Sequence, residues 1–244
     1  MNVIINGACG RMGGEILRLL DKNYHGASLA AAVDPKANRL VFYRNINDFT
    51  GNADVIIDFS SPAALPVLLA YAVERSLPIV IATTGHSDAD REKIREAAAR
   101  IPVLYCANTS IGIVLMTDLV RRAVAAFPEA DVEIVETHHN RKADAPSGTA
   151  LILAKAVQSV RPNSVIVIGR NGSSRRQPNE ISISAVRRGN IVGTHEVYIS
   201  TDTQTLTLTH EAHDRALFAE GAIAAAEFIV RQNAGLYSMQ DLIA

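Results

Sequence analysis

The segment that most constrains the fold lies at the start of the chain. An apolar run at residues 3–5 leads directly into glycines at positions 7, 10 and 13, and an amphipathic segment follows. In a strand-turn-helix unit, Gly7 permits the tight turn, Gly10 lets the backbone approach a pyrophosphate, and Gly13 lets the helix lie close to the strand. The helix N-terminus presents N–H groups to the anion. This pattern predicts a dinucleotide-binding turn, with cofactor contacts from Gly7, Ala8, Gly10, Arg11, Met12 and Gly13.

A tight structural turn without a ligand also explains the glycines, because their spacing differs from the commoner Gly-x-Gly-x-x-Gly. Asp34 favours the cofactor interpretation. It ends the second predicted strand, where a carboxylate can accept hydrogen bonds from the ribose hydroxyls of NADH. Lys36 instead favours the extra phosphate of NADPH, so both cofactors stay open. The structural alternative for Asp34 is a turn residue before Pro35.

The order of apolar segments predicts an α/β chain of two domains. Before residue 109, β-branched runs alternate with helical patterns, which is typical of a Rossmann-type, doubly wound parallel sheet. The predicted strands are 2–6, 30–33, 55–58, 79–82 and 103–106, and the predicted helices are 13–20, 63–75 and 88–99. A final apolar helix at 215–231 is expected to pack back onto this domain. The dinucleotide-binding domain is therefore expected to comprise residues 1–109 and 216–244.

Residues 110–215 show a different pattern, which predicts a second α+β domain on a mostly antiparallel sheet. Its expected helices are 112–127 and 149–160, and its expected strands are 132–137, 164–168, 181–187, 192–200 and 205–209.

Polar residues follow two further strands of the first domain, where the carboxyl ends of parallel strands border a ligand crevice. These candidate cofactor contacts are Phe59, Ser60, Ala82, Thr83 and Thr84. Simple turn capping is the alternative for each of them.

The segment 136–150 carries the densest set of chemically useful side chains. His138 and His139 point to opposite sides if the strand continues, so distinct roles are more plausible than ligation of one metal. An imidazole suits proton donation, and the Lys142 ammonium suits a carboxylate or developing negative charge. Ser147, Gly148 and Thr149 open a helix and offer N–H groups and a hydroxyl to a carboxylate. The alternative for each histidine, taken alone, is a structural hydrogen-bonding role, and the alternative for Lys142 alone is an ordinary surface charge.

Composition limits the partners. The formal net charge of -1 gives no general attraction to nucleic acid, and no apolar run reaches membrane-spanning length. Cys9 and Cys106 are too few for a disulfide framework, and the start of the chain lacks a signal-peptide pattern. A cytoplasmic protein without nucleic-acid or membrane partners is expected. No metal site is expected either, because residues 210–214 lack the His-Glu-x-x-His spacing.

Four segments, besides the glycine turn, resemble the dihydrodipicolinate reductase family. They are residues 136–150, 107–112, 188–195 and 209–222. The resemblance implies a homotetramer built through the second domain, which would bind the substrate. It also implies reduction of the cyclic dicarboxylate 4-hydroxy-tetrahydrodipicolinate to tetrahydrodipicolinate by NADH or NADPH, with loss of the hydroxyl as water, in lysine and diaminopimelate biosynthesis.

The resemblance assigns roles to individual residues. His138 takes the position of the proton donor and Lys142 that of the catalytic cation, while His139, Gly148 and Thr149 take carboxylate-binding positions. Ala107 and Asn108 join the cofactor contacts. Two other functions stay open on the residues alone: another nicotinamide oxidoreductase, such as an amino-acid or sugar dehydrogenase, and a catalytically silent dinucleotide sensor.

Overall fold

The structure is a computed structural model, and it describes residues 1–37 and 42–243. The chain divides into two compact units. The first comprises Met1–Ile111 and Arg215–Ala244, and the second is Gly112–Asp214. Within the described ranges, none of the helices combines the length and the apolar character that crossing a membrane requires.

The secondary structure alternates along the first unit and is rich in strands in the second. The helices are α1 (Arg11–Asp21), α2 (Leu65–Glu74), α3 (Asp88–Ala98), α4 (Ile111–Ala126), α5 (Gly148–Val160) and α6 (Ala216–Ile229). The strands are β1 (Asn2–Asn6), β2 (Ser28–Val33), β3 (Phe42–Tyr43), β4 (Val55–Asp58), β5 (Ile79–Ile81), β6 (Pro102–Tyr105), β7 (Asp131–His138), β8 (Val165–Ile168), β9 (Glu180–Arg187), β10 (Gly193–Ser200), β11 (Thr205–Ala212) and β12 (Gly235–Tyr237).

The sheet of the first unit has the order β12-β6-β5-β4-β1-β2-β3, and each pairing in it is parallel. The chain runs outward from β1 in both directions, so the strand order reverses between β1 and β4. Strands buried on both faces are expected to be apolar throughout, and Val3, Ile4 and Ile5 are completely buried. The predicted Rossmann-type sheet is confirmed, and its reversal point is where such sheets bind ligands.

Helix α6 completes the first unit from the far end of the chain. It contacts α1, β4, β5 and β6. Its buried face combines alanines with Ile223 and Ile229, and at Gly221 the helix lies directly against the backbone carbonyl of Thr109. The Thr109 hydroxyl donates a 2.7 Å hydrogen bond to the carbonyl of Phe218 on the same helix.

The sheet of the second unit has the order β11-β10-β7-β9-β8. β10 runs antiparallel to β7 and to β11, whereas β9 runs parallel to β7 and to β8. The sheet is therefore mixed, where the sequence predicts a mostly antiparallel one. The reason is that α5 connects β7 to β8 as a crossover helix. The chain therefore enters β8 in the same direction as β7. Apolar residues of α4 and α5 form the core with one face of this sheet.

Two glycine substitutions test the packing of the first unit. A Cβ added at Gly221 would overlap the Thr109 carbonyl oxygen, whereas a Cβ added at Gly14 of α1 meets no atom within 4 Å. Overpacking costs about 1 to 3 kcal/mol, so Gly221→Ala should lower the free energy of unfolding by that amount. Gly14→Ala should raise it by about 0.5 to 1 kcal/mol, because alanine loses less backbone entropy in a helix. Urea denaturation of both variants checks the contact; equal stability would contradict it.

Candidate active site

A cavity of about 310 Å³ lies at the carboxyl ends of β1, β2 and β4. The structure places five predicted cofactor residues in its wall, namely Gly7, Gly10, Asp34, Phe59 and Ser60. Cys9, Pro35, Lys36 and Ser61 complete the wall. Lys36, which the sequence raises as a phosphate partner, thus lies at the same cavity as Asp34.

The glycine turn has the geometry that a pyrophosphate needs. Gly7 has a φ of +86°, and a Cβ there would overlap the Phe59 carbonyl oxygen. A Cβ at Gly13 would overlap the carbonyl oxygen of Gly7, so α1 lies as close to β1 as glycine allows. Gly10 occupies the N-cap of α1 and has no side chain to cap the N–H groups of the first turn, which includes Arg11 and Met12. The turn therefore fits an anionic group at the helix N-terminus.

Asp34 ties the end of β2 to this turn. One carboxylate oxygen accepts a 3.0 Å hydrogen bond from the Cys9 N–H, and the other accepts a 2.9 Å hydrogen bond from the Lys36 N–H. The residue is 8% exposed. The carboxylate is therefore fixed at the cavity wall.

A second buried acid, Asp58, orders the ends of β1, β4 and β5. Its Oδ1 accepts hydrogen bonds from Asn6 Nδ2 (2.7 Å) and Ser60 Oγ (2.6 Å), and its Oδ2 accepts one from Thr83 Oγ1 (2.7 Å). The Ser60 N–H donates in turn to Thr83 Oγ1 at 2.8 Å. Burial raises the pKa of Asp58 in spite of these donors. The hydroxyls of Ser60 and Thr83 are thus both held by Asp58.

The remaining predicted cofactor residues occupy different environments. Ala8 is buried beside the glycine turn, and Ala82 is buried at the end of β5, whereas Thr84 is exposed. Ala107 is exposed after β6, and Asn108 Oδ1 accepts a 2.9 Å hydrogen bond from the Ser110 N–H.

The second unit centres on a buried carboxylate, Glu136, which has no exposed surface. His138 Nδ1 lies 2.5 Å from Glu136 Oε2. The Arg187 guanidinium donates to both carboxylate oxygens, at 2.8 and 2.7 Å, and the Ser147 N–H donates to Oε1 at 2.9 Å. Burial alone would raise the pKa of Glu136, but the hydrogen bonds from Arg187, His138 and Ser147 outweigh it and lower that pKa. Glu136 is therefore a buried anion.

Strand register brings this cluster together. Glu136 and His138 are two residues apart on β7, so they lie on one face of the sheet. The parallel neighbour β9 pairs Arg187 with His138, and the antiparallel neighbour β10 pairs His195 with Glu136. Glu136 and Arg187 are site residues that no local sequence pattern singles out, because their contact depends on this register.

His195 lies within β10. Its ring packs edge-on against His138, with 5.1 Å between the centroids, and its Nε2 lies 3.0 Å from Ser147 Oγ. Burial, and then the neighbouring His138, lower the pKa of His195 to about 4. His195 is therefore neutral at physiological pH.

Ser147 differs from its predicted role of offering a hydroxyl to a substrate carboxylate. It is 2% exposed and forms the N-cap of α5, where its Oγ accepts a 3.2 Å hydrogen bond from the Ala150 N–H. The hydroxyl faces the interior and contacts His195 instead. Gly148 and Thr149 are less buried and form the first turn of α5.

The loop after β7 carries Lys142. Its Nζ lies 2.9 Å from Asp144 Oδ1, and this ion pair lowers the pKa of Asp144. The half-buried His139 is held through its N–H, which donates to the Ile191 carbonyl at 2.8 Å. The Arg188 N–H donates to the His138 carbonyl at 2.9 Å. The connection from β9 to β10 thus holds the end of β7 where both histidines lie.

The first unit has a parallel sheet with a glycine turn and an acidic residue at the end of its second strand. The second unit has a basic, imidazole-rich cluster. Together these features define a nicotinamide-dependent oxidoreductase. Comparison with protein families agrees with this class. Residues 1–109 match the model "Dihydrodipicolinate reductase, N-terminus", and residues 112–243 match "Dihydrodipicolinate reductase, C-terminus". The chain belongs to the dihydrodipicolinate reductase family.

Individual relatives match over almost their full length. The 4-hydroxy-tetrahydrodipicolinate reductase of Clostridium novyi is 42% identical over 99% of this chain and 97% of its own length. The enzyme of the same name from Caldanaerobacter subterraneus is 41% identical over 100% of this chain and 98% of its own. Among solved structures, a dipicolinate-bound dihydrodipicolinate reductase from Paenisporosarcina has a TM-score of 0.84 and 25% identity, covering 99% of this chain and 98% of that one.

The lowered pKa of His195 predicts how stability depends on pH. In the unfolded chain His195 is an ordinary imidazole with a pKa near 6.5, whereas in the folded chain its pKa is about 4. Between these two pH values the unfolded chain binds a proton that the folded chain does not, so the free energy of unfolding falls as the pH drops from 6.5 to 4. Between pH 7 and pH 5 the loss should be about 2 kcal/mol. Urea denaturation at both pH values checks it, with His195→Gln as the control that lacks the titrating group. If His195→Gln loses the same free energy of unfolding between pH 7 and pH 5, the pH dependence comes from other groups.

Proposed function

We propose that this chain reduces 4-hydroxy-tetrahydrodipicolinate to tetrahydrodipicolinate in lysine and diaminopimelate biosynthesis. The observation that carries the proposal is the presence of His138, Lys142 and the N-terminus of α5 in the second unit, within a chain that matches both family models. A dicarboxylate suits these groups because they combine a lysine ammonium with helix N–H groups. The related Paenisporosarcina reductase was solved with the dicarboxylate dipicolinate bound.

The first unit would hold NADH or NADPH. Gly7, Gly10 and the first turn of α1 fit the pyrophosphate, and Asp34 fits the adenosine ribose. Phe59 and Ser60 line the same cavity, and Thr83 and Thr84 follow the neighbouring strand β5. The bound nicotinamide supplies a hydride to the substrate ring.

The second unit would hold the substrate through its carboxylates. His139, Gly148 and Thr149 are the proposed binding residues at one carboxylate, and the Lys142 ammonium is the proposed counter-charge. Lys142 is paired with Asp144, whose side chain is 61% exposed, so this ion pair is open to solvent. Exposed ion pairs contribute little stability, and a substrate carboxylate can therefore compete with Asp144 for the ammonium at low cost.

His138 is the proposed proton donor. The reaction consumes one hydride and one proton, and the hydroxyl of the substrate leaves with a ring hydrogen as water. Glu136 accepts a hydrogen bond from Nδ1 of His138, so Nε2 is the imidazole atom that delivers the proton to the substrate ring. His195 beside it stays neutral and adds no charge that would repel an imidazolium.

We also propose a homotetramer in the cytoplasm. Half-exposed residues on the sheet face opposite the helices of the second unit, including Val135, Thr194 and Tyr198, support assembly through that face. The thiols of Cys9 and Cys106 support a reducing compartment, since neither forms a disulfide within the described residues. Sedimentation of a monomer would contradict the assembly.

Lys142→Ala tests the reaction and the site together. The substrate is generated in place from pyruvate and aspartate semialdehyde by its synthase, and the absorbance of NADH or NADPH is followed. Loss of a charge that stabilises the transition state costs about 10²- to 10³-fold, so kcat/KM should fall by that factor. Lys155→Ala is the matched control, because Lys155 is an exposed lysine on α5. Its activity should equal that of the wild type.

The wild-type result separates the competing functions. Absence of substrate-dependent oxidation, with measurable binding of NADH or NADPH, would exclude the proposed substrate. A silent dinucleotide sensor, or a dehydrogenase with another substrate, would then explain the fold.

Asp34 and Lys36 are expected to set the preference between the two cofactors. Asp34→Asn removes the charge that repels a 2′-phosphate and keeps an amide acceptor, so kcat/KM for NADPH should rise about tenfold relative to NADH. Lys36→Ala should shift the same ratio in the opposite direction. Initial rates with each cofactor measure the ratio. An unchanged ratio in both variants would assign the preference to other residues.

A further inference from the structure

Glu136 connects two parts of the site that lie on different elements. We infer that Glu136 is a positioning residue: one of its carboxylate oxygens fixes the proton position on His138, and the other fixes the N-terminus of α5. The functional meaning of this connection rests on the proposed reaction, in which His138 donates a proton and α5 binds a carboxylate.

The geometry leaves Glu136 no capacity for a chemical step of its own. Its Oε2 contacts His138 Nδ1 at 2.5 Å and accepts from Arg187 at 2.8 Å. Its Oε1 accepts from Arg187 at 2.7 Å and from the Ser147 N–H at 2.9 Å. Both oxygens therefore have two partners each, and the side chain is completely buried. A carboxylate saturated in this way orients its neighbours and does not exchange protons with a ligand.

The contact at Oε2 determines which nitrogen of His138 is reactive. An ionised carboxylate only accepts hydrogen bonds, so the proton on Nδ1 is held there and Nε2 carries the exchangeable site. The ring lies across Gly193 of β10, and a Cβ at that position would lie 2.9 Å from Nε2. The missing side chain at Gly193 leaves room for the ring in the orientation that Glu136 imposes.

The contact at Oε1 reaches the substrate side. Ser147 is the N-cap of α5, and its backbone N–H bonds Glu136 while its hydroxyl bonds the Ala150 N–H. Ser147 is therefore held at both its backbone and its side chain. The positions of Gly148 and Thr149, which follow it directly, depend on this anchor.

Arg187 makes the arrangement compatible with an anionic substrate. A lone buried carboxylate beside a dicarboxylate would repel it, and burying such a charge without a partner is costly. The bidentate guanidinium offsets the charge of Glu136 and also donates to the Asp144 carbonyl at 2.7 Å. The groups that face His138 are therefore Glu136 on its own strand, Arg187 on β9 and the neutral His195 on β10.

The test reads the proton position directly, without substrate. Long-range ¹H–¹⁵N spectra of histidine-labelled full-length protein, at a pH where the imidazole is neutral, distinguish a proton on Nδ1 from one on Nε2. We expect His138 of the wild type in the Nδ1–H form. An Nε2–H form in the wild type would overturn the inference, and this measurement requires no variant to fold.

Glu136→Gln then tests the coupling. The amide of glutamine has only one oxygen, and its NH₂ group would face the donors from which Glu136 accepts hydrogen bonds. The Nδ1–H and Nε2–H forms of His138 should therefore both be populated. The value of kcat/KM should fall about 10²-fold or more, as when an orienting carboxylate is lost from a catalytic histidine. KM for the substrate should rise through the loss of the α5 anchor. The pH profile of kcat/KM should also differ from that of the wild type, because the amide in Glu136→Gln cannot contact His138 as a carboxylate does.

Glu129→Gln is the matched control, because Glu129 is an exposed acid in the turn before β7. It should leave the spectrum and the pH profile unchanged. A wild-type spectrum and pH profile in folded Glu136→Gln would contradict the positioning role. Because the spectra need no turnover, an Nδ1–H form in an enzyme without reductase activity would contradict the proposed reaction only.

Discussion

The fully buried charge of Glu136 imposes the strictest condition on the second unit. A carboxylate without solvent must receive hydrogen bonds at both oxygens and a counter-charge, or the unit loses several kcal/mol. Those partners come from three separate places: His138 on the same strand, Arg187 on β9 and the Ser147 N–H at the start of α5. The sheet can satisfy the carboxylate only in one register, so the condition that stabilises the unit also assembles the site.

The first unit uses acids in a similar way at its ligand edge. Asp58 collects hydroxyl and amide donors from the ends of β1, β4 and β5, and Asp34 binds two backbone N–H groups at the end of β2. In both cases the acid fixes the loops that follow parallel strands, where loop flexibility would otherwise cost binding energy. Asp34 differs from Asp58 because it also lines the cavity. Of these two acids, it is the one in a position to contact a ligand directly.

Much of the fold and part of the site could be predicted because the signals were local. The glycine turn, the alternation of strands and helices and the segment 136–150 each lie within a short stretch. β3 and β12 were missed because they are short edge strands of two and three residues, each paired on one side only. The mixture of parallel and antiparallel pairs in the second sheet was missed because the sequence of a strand does not show which strand it pairs with, or in which direction. Arg187 and His195 were missed as site residues for the same reason, since they lie far along the chain from the residues they contact.

One signal for the buried network was nevertheless present in the sequence. The inward positions of β7 are Val132, Ile134, Glu136 and His138, so an acid and an imidazole follow apolar residues on a core-facing stripe. A charged residue at such a position requires a buried partner of opposite charge. An arginine on a neighbouring predicted strand was the natural candidate, although only the structure shows which one. The position of Ser147 was harder to predict, because an N-cap serine looks the same whether its hydroxyl faces a ligand or the core.

The closure of the first unit by α6 and β12 has a consequence for how the protein is made. The ribosome synthesises the chain from its N-terminus, yet β12 pairs with β6, and α6 packs on β4, β5 and β6. The nascent first unit therefore keeps part of its apolar surface uncovered while all of Gly112–Asp214 is synthesised. The second unit has its complete sheet before the first has its last helix. A chain that stops near residue 215 would consequently contain every proposed proton-transfer and carboxylate-binding residue but an unfinished cofactor unit, exposed to aggregation and proteolysis.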